Sequence, residues 1–311
     1  MKNDYLWDGT GAPDPEIQRL EQLLGEFRSE RPAPPLPVAP ARLRWAMLAA
    51  AAALAGIGIW LTSGVPQAGW RIARAGTPVG HLAVGETLET GATGNITLDV
   101  SGLGRIEVDA NSRLRLERAG AREQRMALDH GSIRALIWAP PRTFVVDTPS
   151  AVATDLGCYY TMQVDPDGSG LVNVLAGWVS FASQGKESFI PAGASCRTRS
   201  GVGPGTPYRD QASPALRQAL ADFDFAQGGL DTVLAEATKD DAFTLWHLLS
   251  RCPPAQAASV YDALAKLAPP PAGVTRDGIL RRDRKQLDRW WDQLGFGYAN
   301  WWRHLESRQP R

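Results

Sequence analysis

The sequence predicts a multidomain, membrane-anchored chain. Its parts are a short cytoplasmic helix, one transmembrane helix, an all-β domain (a sandwich or short β-solenoid, or a closed barrel) and an all-α C-terminal region of short helical hairpins. Three observations predict it. Residues 45–63 carry no charged side chain, residues 70–200 are short β-rich runs punctuated by glycine, and residues 213–311 return to helical spacing broken by proline. The divisions are 1–30 for the head, 31–44 for a Pro-rich linker, 45–63 for the span, 70–200 for the β domain and 213–311 for the helical region.

In the head, Asp14-Pro15-Glu16 is a helix start, with Asp as N-cap, Pro at the first helical position and an acid in the first turn. Ile17, Leu20, Leu24 and Phe27 then recur on one face. One short amphipathic helix cannot bury that stripe alone. Its acidic polar face disfavours an anionic membrane surface, so the four residues are expected to contact a protein partner; the bland alternative is a marginal helix with none. The linker has five prolines in the ten residues 31–40, which favours an extended spacer.

Residues 45–62 run WAMLAAAAALAGIGIWLT. As a helix rising about 1.5 Å per residue they reach about 27 Å, close to the hydrocarbon thickness of a bilayer. Trp45 and Trp60 lie near the ends, where indole rings favour the interface. A buried core helix is the commoner source of shorter apolar runs, and a cleaved signal peptide is the other rival. Against the latter stand 44 preceding residues. Arg42 and Arg44 flank the near side, so the positive-inside rule puts the N-terminus in the cytoplasm and everything beyond residue 65 outside it.

Between residues 70 and 200, runs such as Arg105-Ile106-Glu107-Val108 and Arg113-Leu114-Arg115-Leu116 alternate with period two, as half-buried strands do. Asp165-Pro166-Asp167-Gly168 is a turn; no carboxylate follows where a calcium loop would close. Beyond residue 213, Leu216, Leu220 and Phe223 form one helical stripe and Leu230, Val233 and Leu234 another. Pro253-Pro254 and Pro269-Pro270-Pro271 separate short helices.

Lys+Arg and Asp+Glu balance at 33 each, so there is no global charge for nucleic acid. The four histidines are scattered, and no nucleophile elbow, phosphate loop or dinucleotide fingerprint is present. The chain is therefore expected not to be an enzyme and to need no cofactor or metal. Cys158 and Cys196 lie beyond the span, where thiols oxidise. Either they pair, closing a loop of 38 residues worth about 3–4 kcal/mol, or they are two buried thiols acting as small apolar residues. The oxidising compartment favours the pair; Cys252, among helices, is left without a partner.

An ordered set of landmarks resembles the FecR domain of envelope signal transducers. It runs Leu128-Asp129-His130-Gly131-Ser132-Ile133, Phe144-Val145-Val146-Asp147-Thr148-Pro149, Asp155-Leu156-Gly157-Cys158, residues 172–179 (VNVLAGWV) and Ile190-Pro191-Ala192-Gly193. Gly131, Gly157, Gly177 and Gly193 have the look of turn positions, and Thr148-Pro149 of a strand end. The resemblance implies an anti-sigma regulator. Its cytoplasmic segment would bind an extracytoplasmic-function sigma factor, and its periplasmic part would sense an envelope protein or signal. The alternative is a periplasmic scaffold or a ligand- or glycan-binding module merely anchored by its helix. Two departures stand out: a head of only 44 residues, and Cys158 where the family usually has threonine.

Overall fold

The computed structural model describes residues 15–26, 69–92, 94–226 and 228–296. The chain divides into two compact units, Met1–Val65 and Pro66–Arg311. In the first, helix α1 (Pro15–Gly25) buries none of its residues. The predicted linker 31–44, the predicted span 45–63 and Phe27 lie outside the described residues. Among the described residues no helix is long and apolar enough to cross a membrane.

The second unit opens with sixteen strands. They are β1 (Gly69–Arg74), β2 (Thr77–Ala83), β3 (Thr87–Glu89), β4 (Ile96–Asp99), β5 (Gly104–Val108), β6 (Arg113–Ala119), β7 (Gln124–Ile137) and β8 (Phe144–Asp147). There follow β9 (Val152–Asp155), β10 (Tyr159–Val164), β11 (Gly170–Ala176), β12 (Trp178–Ser183), β13 (Lys186–Pro191), β14 (Ala194–Arg199), β15 (Gly203–Pro204) and β16 (Tyr208–Arg209). One sheet runs β2-β1-β4-β5-β7-β10-β11-β14, with β15 and β16 both pairing with β14. The other runs β3-β6-β7-β8-β9-β12-β13. Among the described strands every pairing is antiparallel except β7 with β8, which does not suit the stacked parallel coils of a β-solenoid.

Strand β7 belongs to both sheets. Residues 124–130 pair with β6 and β8, and residues 131–137 with β5 and β10. The strand changes sheet at Gly131, where φ is +101°. A Cβ built there would overlap the Cα, Cβ and Oγ of Ser112. That Ser112 Oγ accepts the Ser132 N–H at 3.0 Å, so glycine lets the corner close on a hydrogen bond. Gly131 thus sits inside one long strand, not in a turn between two.

Alternation builds both walls of the core. Leu114 and Leu116 point inward from β6 while Arg113 and Arg115 point out; Ile106 and Val108 do the same on β5 beside Arg105 and Glu107. The two sheets' inward side chains form one continuous apolar cluster. Trp70, fully buried on β1, packs its ring 6.0 Å from Phe144 and donates its indole N–H to Gln124 at 2.7 Å, which ties the first strand to the start of β7. On the outside, Arg125 grips Asp147 through two hydrogen bonds of 2.5 and 2.6 Å, fixing the parallel β7–β8 pair by a bidentate contact.

Helices α2 (Pro214–Phe225), α3 (Leu230–Glu236), α4 (Ala242–Arg251), α5 (Ala257–Leu267), α6 (Arg276–Leu280) and α7 (Arg284–Gln293) complete the unit. Ser213 caps α2 by accepting the Leu216 N–H, with Pro214 at the first helical position. The helices share a second apolar core, but Phe243 and Trp291 belong to the strands' core, and Trp246 and Leu294 pack against both. The helical region is therefore welded to the β sheets.

Replacing Gly131 with alanine is expected to destabilise the unit by about 2–5 kcal/mol, from a strained positive φ and overpacking together. Equilibrium urea unfolding checks this; a loss under about 0.5 kcal/mol, the size of an ordinary surface change, would show that the corner tolerates a side chain.

Candidate functional site

The seam between β13 and α4 is the most built polar feature of the second unit. Strand β13 pairs only with β12, so its other edge needs partners for its backbone groups. Two side chains one helical turn apart on α4 supply them. His247 accepts the Phe189 N–H on Nε2 at 3.2 Å. Arg251 donates to the Glu187 carbonyl at 2.8 Å, to the Pro204 carbonyl at 2.9 Å and to the Ser188 hydroxyl. Residues 247 and 251 share a helix face because four residues make little more than one turn. The helix thereby stands in for the missing strand.

The hydrogen bonds fix the tautomer of His247. Its Nδ1 faces the Phe243 carbonyl at 2.9 Å and so carries the proton, leaving Nε2 as acceptor. Burial first, and the Arg251 charge second, push its pKa down to about 3. Aromatic rings enclose it: Trp246 at 5.1 Å, Trp291 at 5.5 Å and Phe243 at 5.9 Å between centroids. Trp291 also meets Phe189 edge-on at 6.3 Å, joining α7 to the same strand.

Beside this seam opens a cleft of about 1050 Å³, walled by β13, the end of α2, the start of α3, α4 and α7. Four cations line it, Lys186, Arg251, Arg282 and Arg284, and four acids, Glu187, Asp224, Asp231 and Asp288. Asp224 accepts both the N–H and the hydroxyl of Thr206, at 2.6 and 2.9 Å, and burial raises its pKa.

A second buried group sits in the β domain. Asp155, on β9, accepts the Gly157 N–H at 2.6 Å and the Cys158 thiol at 2.5 Å. Burial outweighs these bonds and lifts its pKa to about 7. The Cys158 thiol is pushed up by burial and by that carboxylate, so it is not poised as a thiolate.

The expected Cys158–Cys196 disulfide is corrected here: both thiols are buried and free, as is Cys252. Cys196 pairs in register with Val172, which pairs with Met162, so Cys158 lies two strands across and four residues along. Strand spacing and rise put that separation at about 16 Å, far beyond the roughly 7 Å a disulfide spans. The Cys196 thiol instead donates to the Gly205 carbonyl at 3.2 Å.

The remaining sequence positions fall in several places. Gly157, Gly177 and Gly193 lie between successive strands with positive φ. At Gly177 a Cβ would strike the Gly157 carbonyl, so those two turns pack backbone to backbone. Thr148 follows β8 and closes its turn by accepting the Ala151 N–H at 3.0 Å, with Pro149 inside that turn. On α1, Leu20 and Leu24 are exposed and Ile17 half-exposed. His247 and Arg251 were not singled out by sequence, and Asp155 stood there only as the first residue of the Asp155-Leu156-Gly157-Cys158 landmark. The signal available was a histidine and an arginine four apart on an otherwise apolar helix.

Residues 86–180 match the FecR protein family. The matched FecR segment runs from just before β3 into β12, less than a third of the chain. Strand β13, its capping helix and the cleft lie outside it. Two crystal structures of a candidate anti-sigma factor from Parabacteroides distasonis ATCC 8503, at 2.50 and 1.65 Å resolution, are similar to the chain at 12% identity, with TM-scores of 0.35 and 0.36. The likeness covers 43% of this chain and 63% of theirs. No curated protein matches.

His247 and Asp155 give opposite pH slopes. A buried neutral histidine resists protonation, so its contribution is whole above the ordinary pKa of 6.5 and is lost as pH falls toward about 3. Asp155 binds its proton more tightly folded than unfolded, so its ionisation costs stability as pH rises from 3.8 to about 7. Asp155→Asn is expected to gain on wild type by about 4 kcal/mol across that window, on top of a constant offset from the altered hydrogen bonds. Urea midpoints from pH 4 to 7 measure this, and a pH-independent difference would place Asp155 in a solvated setting. His247→Gln is expected to diverge in the opposite sense, gaining on wild type as pH falls below 6.5.

Proposed function

We propose that this chain is a single-pass inner-membrane regulator. It relays an envelope signal sensed by its FecR-matching periplasmic body to a cytoplasmic protein, an extracytoplasmic-function sigma factor, held by α1. The observation that carries this reading is the unpartnered face of α1. Leu20 is 57% exposed, Leu23 61% and Leu24 64%, on an eleven-residue helix that buries nothing. Three leucines left in water on so short an element favour binding elsewhere, since burying each is worth about 1.5–3 kcal/mol. The FecR match at residues 86–180 supports the regulatory class, and the uncharged run at 45–63 supports a crossing between head and body.

The decisive experiment co-purifies the full chain with the sigma factors of its own cell and reads their transcription. Leu20→Asp with Leu24→Asp is expected to weaken capture more than about tenfold and to leave the unfolding midpoint of the β domain unchanged. Capture by the double variant as strong as by wild type, or no sigma factor captured at all, would overturn the reading.

A further inference from the structure

We propose that the outer face of the sheet containing β1, at the end where β1 starts, lies against the lipid bilayer. The inference rests on the reading above, in which residues 45–63 cross the membrane. Three large hydrophobic residues stand exposed at that end: Trp138 at 59%, Leu175 at 47% and Leu136 at 46%. An apolar patch left in water on an otherwise charged surface marks a place of contact.

Strand register brings the three together. Arg71 on β1 stands opposite Asp99 on β4, and Asp99 opposite Arg105 on β5. The row continues through Leu136 on β7 and Tyr159 on β10 to Ala176 on β11. Directly opposed residues share a face, and this face is the outer one, because the next residues along, Trp70, Ile106, Ile137 and Tyr160, are buried. Leu175 is the extra residue of a bulge in β11, beside Ala176. Trp138 lies two residues beyond Leu136, and its indole N–H donates to the Gly102 carbonyl at 3.0 Å. With its one donor satisfied inside the protein, the ring can leave water without stranding a polar group. The next outward row is polar: Glu107 and Arg134 join at 2.6 Å, beside Thr161 and Asn173. The apolar surface is therefore a band at one end of the sheet.

Chain length argues that the occupant is lipid. Residues 64–68 are all that separate the uncharged run from Gly69, where β1 begins. The stretch from residue 63 to residue 69, fully extended, reaches at most about 22 Å. Arg71, two residues into β1, belongs to the same row as Leu136, three strand spacings away, or about 14 Å. A bilayer that holds the run therefore keeps its surface within reach of the band. Composition fits as well, since Trp and Tyr favour the membrane–water interface. The row's charges are two cations and one acid, and Arg71 and Asp99 are paired at 2.8 Å, so apolar burial rather than charge is what drives the contact. Docked in this way, the body cannot tumble freely on its short link.

The test puts the photo-crosslinker benzoylphenylalanine in place of Leu136, Leu175 or Val79 in the full chain. The chain is reconstituted in vesicles of phosphatidylethanolamine and phosphatidylglycerol, and adducts are read by mass spectrometry. Val79 is the control: it is 59% exposed but lies toward the other end of the β1–β2 pair. Lipid adducts at 136 and 175 are expected at least about fivefold above those at 79, and Trp138→Glu is expected to cut the yield at 136 about threefold. Leu175→Glu, on an exposed bulge, serves the same purpose if Trp138→Glu does not fold. Lipid adducts no commoner at 136 and 175 than at 79 would overturn the proposal. Crosslinks there to a second copy of the chain, in place of lipid, would overturn it in favour of a protein interface. Carbonate washing of the same vesicles keeps the two readings apart. A chain that stays in the membrane without those adducts removes this proposal alone, whereas a chain that washes off removes the membrane reading with it.

Discussion

One strand holds the second unit together by belonging to two sheets. Because residues 124–130 and 131–137 of β7 pair with different neighbours, neither sheet can shift register without moving the other. A one-residue slip would turn every inward side chain of that strand outward. Met126 and Leu128 on one half, and Ile133, Ala135 and Ile137 on the other, would leave the core together. The whole arrangement passes through a backbone corner that admits no side chain, at Gly131 against Ser112.

The helical region answers a different demand. A sheet edge inside a protein must have its amides and carbonyls met, and α4 meets them with an imidazole and a guanidinium in place of a strand. Packing reinforces the contact through the aromatic run Trp178, Phe189, Trp291 and Trp246, with centroids 4.7–6.3 Å apart. Such pairs add to simple burial. The buried His247 and Asp155 pull stability in opposite directions with pH, one favouring neutral conditions and the other acid. Both groups are buried, which is why each resists its charged form.

Much of this was legible in the residues. Period-two alternation marked β5 and β6, glycine marked the turns at Gly157, Gly177 and Gly193, and the Ser213-Pro214 pair marked where helices begin. What escaped were features that depend on distant partners. The first half of β7 reads as a contiguous apolar run, Met126-Ala127-Leu128, because the small Ala127 between the two inward residues is buried as well, so alternation is lost there. Strand β9 is too short to show a period. The disulfide expectation failed because spacing along a chain says nothing of spacing across a sheet: strand order alone separates Cys158 from Cys196. His247 and Arg251 look unremarkable in a sequence, since their roles are set by an edge some sixty residues earlier.

The capped edge of β13 also sets an order of events. On the ribosome the sixteen strands emerge before the helix that shields them, so for the time taken to make residues 200–251 that edge stands bare. A nascent chain in that interval is a template for any loose strand nearby. Chains cut short before α4 would then be lost to clumping more readily than chains missing their first strands.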